Sequence, residues 1–507
     1  MSLFQQLTGV EVAKELMLQG IKDDNIVIKY DPDVDGIFAG FVIEQYLRKV
    51  HNYIPRVSIN SGRGHGVLDL MCLSSSKKTY NQQEPNTEPF PDNATIINVD
   101  SGISSDKLKE LVNMGYNVVS LDHHEVEHAP NEDINTQLKY AYNGHYGLVI
   151  NNQYTFEDHK YQFQSGTGIV LTYLQNIDPS FVTKELIAIN AITLLSDSRD
   201  INNDIARSFL EVLYSVKESD APWIYKIAST IGFNQYTLGE NVLDRTFIDY
   251  TFSPYINAAM RLELGYETIK FVNHLDIKLG NVKKAQQDIM EQLQGRAMIQ
   301  EYQDLMIIRV PSYNQDWYNV SNFIGLLANK YLYKGKNVVI FCTVLNKHGK
   351  QDFERGSFRG LYSGINYREL FNENGITALG HFGAFGIKNI VLDNDFWVRL
   401  DKKIGILQLN KPSKSVVGIK NLKTELTRIM DIAYENMFKT SETRVYIKYK
   451  GMHMELNRST PKITIYAIDD LIITCFDKEL DIRAKTTYLE PVLDKGNLKL
   501  YAKTLSS

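Results

Sequence analysis

Short apolar runs alternate with segments of helical spacing along the first half of the chain. Residues 25–35, NIVIKYDPDVD, read as an apolar strand that breaks into an Asp-rich loop, and the following GIFAGFVIEQYLRKV has the apolar spacing of a helix. Strand, loop and helix recur in ATIINVDSGISSDKLKELVNMG, where the strand ends at Asp100, Ser104 or Ser105 can cap the helix and Gly115 can stop it. YNVVSLDHHE predicts a third strand at once afterwards. Strands alternating with helices imply a parallel sheet, which carries its functional loops at the carboxyl ends of its strands. The three Asp-bearing loops are therefore expected along one edge.

Between the first and second units, residues 74–92 (SSSKKTYNQQEPNTEPFPD) are polar and aperiodic and read as a mobile surface insertion. KELIAINAITLLSD predicts a strongly apolar helix that delivers Asp197 at its end. Residues 273–300 form a long, mostly polar helical pattern suited to bridging two domains. LMIIRV, NVVIFCTV and KNIVLDN predict strands of a second α/β domain, and TRVYIKYK, KITIYAI and LIITCF predict a third, strand-rich one. A length of 507 residues agrees with about three domains.

Composition narrows the class. With 43% hydrophobic and 23% charged residues the chain is an ordinary folded one. No apolar stretch approaches the roughly 20 residues of a membrane helix. MSLFQQLTGVEVAKEL lacks the pattern of a secretory signal, so a cytoplasmic address is expected. Three widely spaced cysteines, Cys72, Cys342 and Cys475, argue against a disulfide framework or a thiolate zinc site. A net charge of −5 exerts no global pull on a polyanion, so any such contact must come from local patches.

The candidate chemistry lies on the shared edge: Asp31, Asp33 and Asp35 in YDPDVDG, Asp100 in NVDSG, Asp122, His123 and His124 in LDHHE, and Asp197 in SDSRD. Each motif alone is an ordinary turn or surface pair. Gathered at strand ends, these groups would repel one another unless a cation compensated them. The oxygen-rich, sulfur-free set with one or two imidazoles favours two divalent ions, manganese or magnesium. A pair of ions about 3.5–4 Å apart, bridged by a carboxylate such as Asp100, would activate water and offset charge on a phosphoryl centre, which suits hydrolysis of a phosphodiester or phosphoanhydride.

DPDVDG, NVDSG, LDHHE and LLSDSRD, in this order, resemble the four motifs of the DHH phosphoesterase superfamily. Further segments resemble the RecJ single-strand exonucleases in particular: YIPRVSINSGRGHG, SGTGIVLTYL, SPYINAAMRLE, LDIKLGNVKKAQQDI, and GSFRG followed by GHFGAFG. The resemblance implies metal ligation by Asp33, Asp35, Asp100, His123 and Asp197, with Asp100 as the bridge and His124 at the scissile phosphate. Several branches carry a histidine where this chain has Lys29, and Asp31 is a substitute for it. Tyr255, Met260 and Asn152 also depart from the family pattern and mark a divergent member. The implied architecture is an α/β, parallel-sheet DHH catalytic domain over residues 1–264, a linking helix over 265–300, a smaller α/β DHH-associated substrate-binding domain over 301–400, and a β-rich domain over 401–507 for which an OB-like form is a candidate.

The expected nucleic-acid contacts are Arg56, Arg63 and Arg261 in the first domain and Ser357, Arg359, Gly380, His381 and Gly383 in the second, where a guanidinium and exposed backbone N–H groups would grip a phosphate. In the third, residues 402–450 hold 11 Lys or Arg against 4 Asp or Glu, a local +7, and Arg444, Tyr446 and Lys448 alternate onto one predicted outer face. The resemblance implies a 5′ to 3′ exonuclease that releases 5′-mononucleotides from single-stranded DNA in recombination, repair or replication, with a helicase or single-strand-binding protein as possible company. Two rivals remain: a DHH phosphodiesterase of short oligonucleotides or cyclic dinucleotides, and an inactive replication scaffold. The extra basic C-terminal region counts against the first and the complete ligand set against the second.

Overall fold

A computed structural model describes residues 3–4, 7, 9–60, 66–67, 70–73, 87–124, 139–152, 161, 163–197, 199, 201, 203–231, 243–274, 279–313, 317–332, 335–345, 351–362, 365–388, 393–410, 415–419, 422, 424–439, 444–450, 455–459, 464–468, 471–475, 486–494 and 497–503. They fall into two compact units, Met1–Gly280 with Leu493–Asn497, and Asn281–Val492 with Leu498–Ser507. The first unit begins with helix α1 (Val10–Lys22), strand β1 (Ile26–Tyr30) and helix α2 (Val34–His51). Strands β2 (Arg56–Ile59), β3 (Met71–Leu73), β4 (Thr87–Pro89) and β5 (Thr95–Val99) follow, then α3 (Ser105–Asn113), β6 (Asn117–Asp122), β7 (Lys139–Tyr142) and β8 (His145–Asn151). Helices α4 (Gly166–Ile177) and α5 (Lys184–Ser196) complete the part that carries the Asp motifs.

The main sheet has the order β2-β1-β5-β6-β8-β7 and is parallel except for the edge strand β7. β1 and β5 are wholly buried, as strands of a parallel sheet covered on both faces are, and the one charged residue among them, Lys29, donates to Ser58 Oγ at 3.1 Å. The mobile insertion expected over 74–92 lies outside the described residues up to 86, and its last part forms β4, paired with β3. Ser104 caps α3 by accepting from Lys107 N, and Gly115 follows the helix with φ +94°. All three cysteines are buried.

The single long bridging helix expected over 273–300 is two helices, Gly265–His274 and Val282–Arg296. Gly280 takes φ +68° and Asn281 caps the second helix through Lys284 N, so a polar run with helical spacing contains a restart. Its final residues are a strand, β9 (Met298–Glu301), on the edge of the second unit's first sheet. That sheet continues with β10 (Leu305–Tyr313), β11 (Asn337–Leu345), β12 (Gln351–Arg359), β13 (Thr377–His381) and β14 (Ala384–Lys388), in the order β13-β14-β12-β11-β10-β9. Of the expected strand KNIVLDN, Lys388 ends β14, 389–392 lie outside the described residues, and Asp393 caps a helix, Asn394–Leu407.

A seven-stranded sheet follows, built from β15 (Ser415–Gly418), β16 (Val445–Lys450), β17 (Glu455–Ser459), β18 (Thr464–Ile468), β19 (Leu471–Cys475), β20 (Thr486–Asp494) and β21 (Asn497–Lys503). Its order is β15-β16-β20-β21-β19-β18-β17. β16 and β17 are consecutive in the chain yet lie apart in the sheet, separated by β20, β21, β19 and β18, and the region is rich in strands as expected.

Phe358 is fully buried between Phe371 and Phe385, with ring centroids 4.8 and 4.7 Å away. Phe358→Ala should cost about 3–5 kcal/mol of stability through lost burial and a residual cavity; a chemical-denaturation series that shows a loss below about 1 kcal/mol would contradict this packing.

Candidate metal centre

The parallel order brings the carboxyl ends of β1, β5 and β6 side by side, and each ends on an acidic loop. Asp33 caps α2 by accepting from Gly36 N at 3.0 Å. Asp35, in the first turn of α2, is buried and accepts from Gly166 N (2.5 Å) and Thr167 N (2.9 Å) at the start of α4. A carboxylate on exposed helix N–H groups is stabilised by hydrogen bonding and by the positive end of the helix dipole. Thr167 Oγ1 also donates to the carbonyl of Asp35, which ties the α2 turn to α4. Asp31 accepts from Ser101 Oγ at 2.9 Å. Asp100 follows β5 with φ +54°, a left-handed conformation that Asp tolerates better than most residues and that turns its side chain onto the sheet edge.

His123 Nε2 is the point of convergence: it lies 2.9 Å from Asp100 Oδ1, 3.7 Å from Asp197 Oδ2 and 3.8 Å from Asp35 Oδ2. Among the described residues, three ligand triples have donor atoms within 4.8 Å of one another: Asp35, His123 and Asp197; Asp31, Asp33 and Asp100; and Asp100, His123 and His124. Asp100 thus belongs both to a cluster with the imidazoles and to one with the aspartates of the first loop.

The residues fit a divalent cation. Among the described residues, Asp100 Oδ1 and Asp197 Oδ2 are buried carboxylate oxygens that accept no hydrogen bond, an arrangement unfavourable without a positive charge between them. An all-oxygen set with an imidazole suits manganese or magnesium. Burial, then the charges of Asp35, Asp33, Asp31 and Asp197, hold the Asp100 carboxyl well above the usual range. Burial and the neighbouring Asp33 raise Asp35 against its stabilising hydrogen bonds. Asp197 caps the C-terminus of α5, where the dipole opposes a carboxylate, and burial pushes it up to about 8 despite the Arg199 guanidinium 3.8 Å away.

His124 behaves oppositely. Burial lowers its pKa, yet the charge and 2.8 Å contact of Asp122 bring it up to about 10, so the imidazole is cationic at neutral pH. Its ring is 41% exposed, open to an anionic ligand. Asn151 Nδ2 donates to the His124 carbonyl (2.9 Å) and to Asp122 Oδ2 (3.4 Å), so β8 fixes this corner.

The roles of Asp122, Ser101, Arg199, Asn151 and the Gly166–Thr167 N–H pair as supports are not visible in spacing. Only SGTG, a helix-capping pattern in which Ser165 accepts from Gly168 N, hinted at the last.

The expected polyanion contacts divide. Arg56 stands at the start of β2, at the opposite end of the strands from the acidic edge, and is held by the Asp24 carbonyl (3.0 Å) and by Glu88 (3.5 Å). Arg63 lies outside the described residues. Arg261 ends the helix Ser253–Arg261 and is partly buried. Ser357 is buried and Arg359 donates to Ser357 Oγ (2.8 Å) and the Phe358 carbonyl (2.7 Å). Gly380 is exposed with φ +134°, Gly383 lies in the following turn, and His381 ends β13, its side chain outside the description. Of the outer face expected on β16, only Lys448 is exposed: Tyr446 is buried, and Arg444 is paired with a buried Glu490. Both faces of β16 are covered at 446 and 447, which overrides the alternation that predicted a stacking platform.

A Cβ on residue 166 would fall 2.4 Å from Asp100 Oδ1. Gly166→Ala should therefore weaken Mn²⁺ binding about tenfold or more by displacing that carboxylate, as isothermal titration would show. Without metal, Asp197 and Asp100 bind protons more tightly when folded than unfolded, so stability should fall as pH rises from about 4 towards 8. Mn²⁺ should raise the melting temperature more at pH 8 than at pH 6, because protons compete for the same carboxylates; an increment independent of pH would contradict the site.

Residues 25–196 match the family described as DHH family, N-terminal domain. The full chain is similar in structure to RecJ from Thermus thermophilus in complex with Mn²⁺, at 15% identity and TM-score 0.68, over 99% of this chain and 73% of that one. The Mg²⁺ complex of RecJ from the same organism gives 14% identity and TM-score 0.62 over 98% and 70%. An exonuclease RecJ bound to manganese gives 16% identity and TM-score 0.51 over 81% and 97%. No curated protein sequence matches. No helix among the described residues is long and apolar enough to cross a membrane. Residues 25–196 thus match the DHH family model, in a chain whose fold is similar to that of RecJ.

Proposed function

We propose that the protein is a divalent-metal-dependent phosphodiesterase that removes 5′-mononucleotides from single-stranded DNA, working from the 5′ end. The observation that carries this reading is Asp100, which among the described residues is shared between two clusters of ligand atoms and holds a buried oxygen that accepts no hydrogen bond. Asp35, His123 and Asp197 would hold one Mn²⁺ or Mg²⁺, Asp31 and Asp33 a second, and Asp100 both. Such ions supply an activated water and offset charge on a phosphoryl group.

The chain's own groups do the rest. The N-terminus of α4 holds Asp35 in place and offsets part of the cost of its charge, and Asp122 favours the protonated His124 imidazole. A cationic, half-exposed His124 can bind a phosphate oxygen and stabilise the negative charge that grows there as the ester bond breaks. Burial of the aspartates excludes competing solvent and strengthens these interactions.

The substrate and polarity rest on the likeness in fold to RecJ over nearly the whole chain. In this reading residues 1–264 perform the chemistry, 265–300 link, 301–400 grip the strand end through Arg359 and the bare backbone near Gly380, and 401–507 contact the strand beyond it. Lys448 remains from the last segment's expected contacts.

Labelled strands blocked at the 5′ or the 3′ end, incubated with Mn²⁺, test the proposal: cleavage to mononucleotides should survive only with a free 5′ end. A preference for dinucleotides over long strands would instead favour the short-oligonucleotide reading. Asp100→Ala should lower the rate by about 10³-fold or more while strand affinity changes less than about threefold; retained hydrolysis would refute the assigned centre.

A further inference from the structure

We propose that Phe382, braced by Arg368, is a stacking platform for one base of the bound strand; this rests on the single-strand reading above. β13 and β14 are joined by a two-residue turn, Phe382–Gly383, beyond the pair His381 and Ala384. Three contacts fix that turn. Arg368 N donates to the Phe382 carbonyl at 3.2 Å, Gly360 N donates to the Gly383 carbonyl at 2.7 Å, and Arg368 Nη1 donates to the Gly380 carbonyl at 2.6 Å. The last contact also sets the guanidinium against the Phe382 ring, 5.1 Å from its centroid.

A phenylalanine so held would ordinarily belong to a core, yet Phe382 is 42% exposed, and nearby Leu379 is 55% exposed. These two side chains are too small a patch for a protein partner, which needs on the order of 800 Å² from each side. They suit a single planar group. The guanidinium supports the ring by a cation–π contact and restricts its motion, so little side-chain entropy remains to be lost on stacking.

The surroundings point to a nucleotide rather than to another planar ligand. Arg359 lies opposite Ala384 in the adjacent strand, two residues along from the ring. Gly386, opposite Ser357, leaves open backbone: a Cβ there would meet nothing closer than Leu379 O at 3.8 Å. A guanidinium for phosphate and an aromatic for its base therefore share one end of one sheet. Stacking on a ring is indifferent to base identity, as a processive trimming activity requires.

The test is equilibrium binding of fluorescent single strands to the full chain in EDTA, with an abasic site walked through the positions nearest the 5′ end. In the natural protein one abasic position should weaken binding about tenfold. Phe382→Ala should lose about as much on the intact strand and then be indifferent to that same abasic position, while Phe382→Trp should keep both affinity and sensitivity. Equal abasic sensitivity in the natural protein and in Phe382→Ala would overturn the platform even if hydrolysis proceeds as proposed. Absence of both strand binding and strand cleavage in the natural protein would overturn the single-strand reading and the platform together.

Discussion

Repulsion among buried carboxylates is the constraint on which the first unit is organised. Asp31, Asp35 and Asp100 are each about 2% exposed or less, and Asp197 points at them from a helix end whose dipole disfavours negative charge. In a medium less polar than water this repulsion is several-fold stronger than in solution. The fold answers it in part with local dipoles and hydrogen bonds: the α4 N-terminus for Asp35, Gly36 N for Asp33, Ser101 for Asp31 and Arg199 beside Asp197. Among the described residues Asp100 Oδ1 and Asp197 Oδ2 are left without a hydrogen-bond donor, and that remainder of unbalanced charge is what a cation would meet.

Geometry and electrostatics divide the two neighbouring histidines. His123 is buried and turns Nε2 into the carboxylate cluster, whereas His124 turns outward and pairs Nδ1 with Asp122. One side chain is suited to a metal and the next to an anion, although they are adjacent on the same strand end. Asp122 brings this about, and Asn151 from the neighbouring strand holds Asp122 and the His124 backbone together. A short sequence thereby acquires two functions from a parallel neighbour that contributes no chemistry itself.

The acidic edge was legible because its determinants are local: apolar runs that end in Asp, Ser104 as a cap, Gly115 as a stop, and alternation of strand with helix. The surface contacts were less so. Arg56 follows the motif spacing but sits at the far end of its strand, and Tyr446 alternates with Ile447 yet both are buried. Periodicity reports which residues share a face and is silent on whether a second layer covers it. A polar helical pattern likewise hid the restart at Gly280 and Asn281, since one glycine with positive φ interrupts a helix without altering the apolar spacing around it.

By itself the chain's order of residues determined the α/β class, the parallel sheet and the identity of the acids and imidazoles at its edge, because strand ends and helix starts are written in neighbouring residues. Tertiary structure alone decided which oxygens converge on His123, that Asp100 serves two clusters, and that Gly166 must be glycine to leave Asp100 its place. Those facts depend on pairing between segments up to about 130 residues apart, such as Asp35 with Gly166, and no local pattern encodes a distance across a sheet.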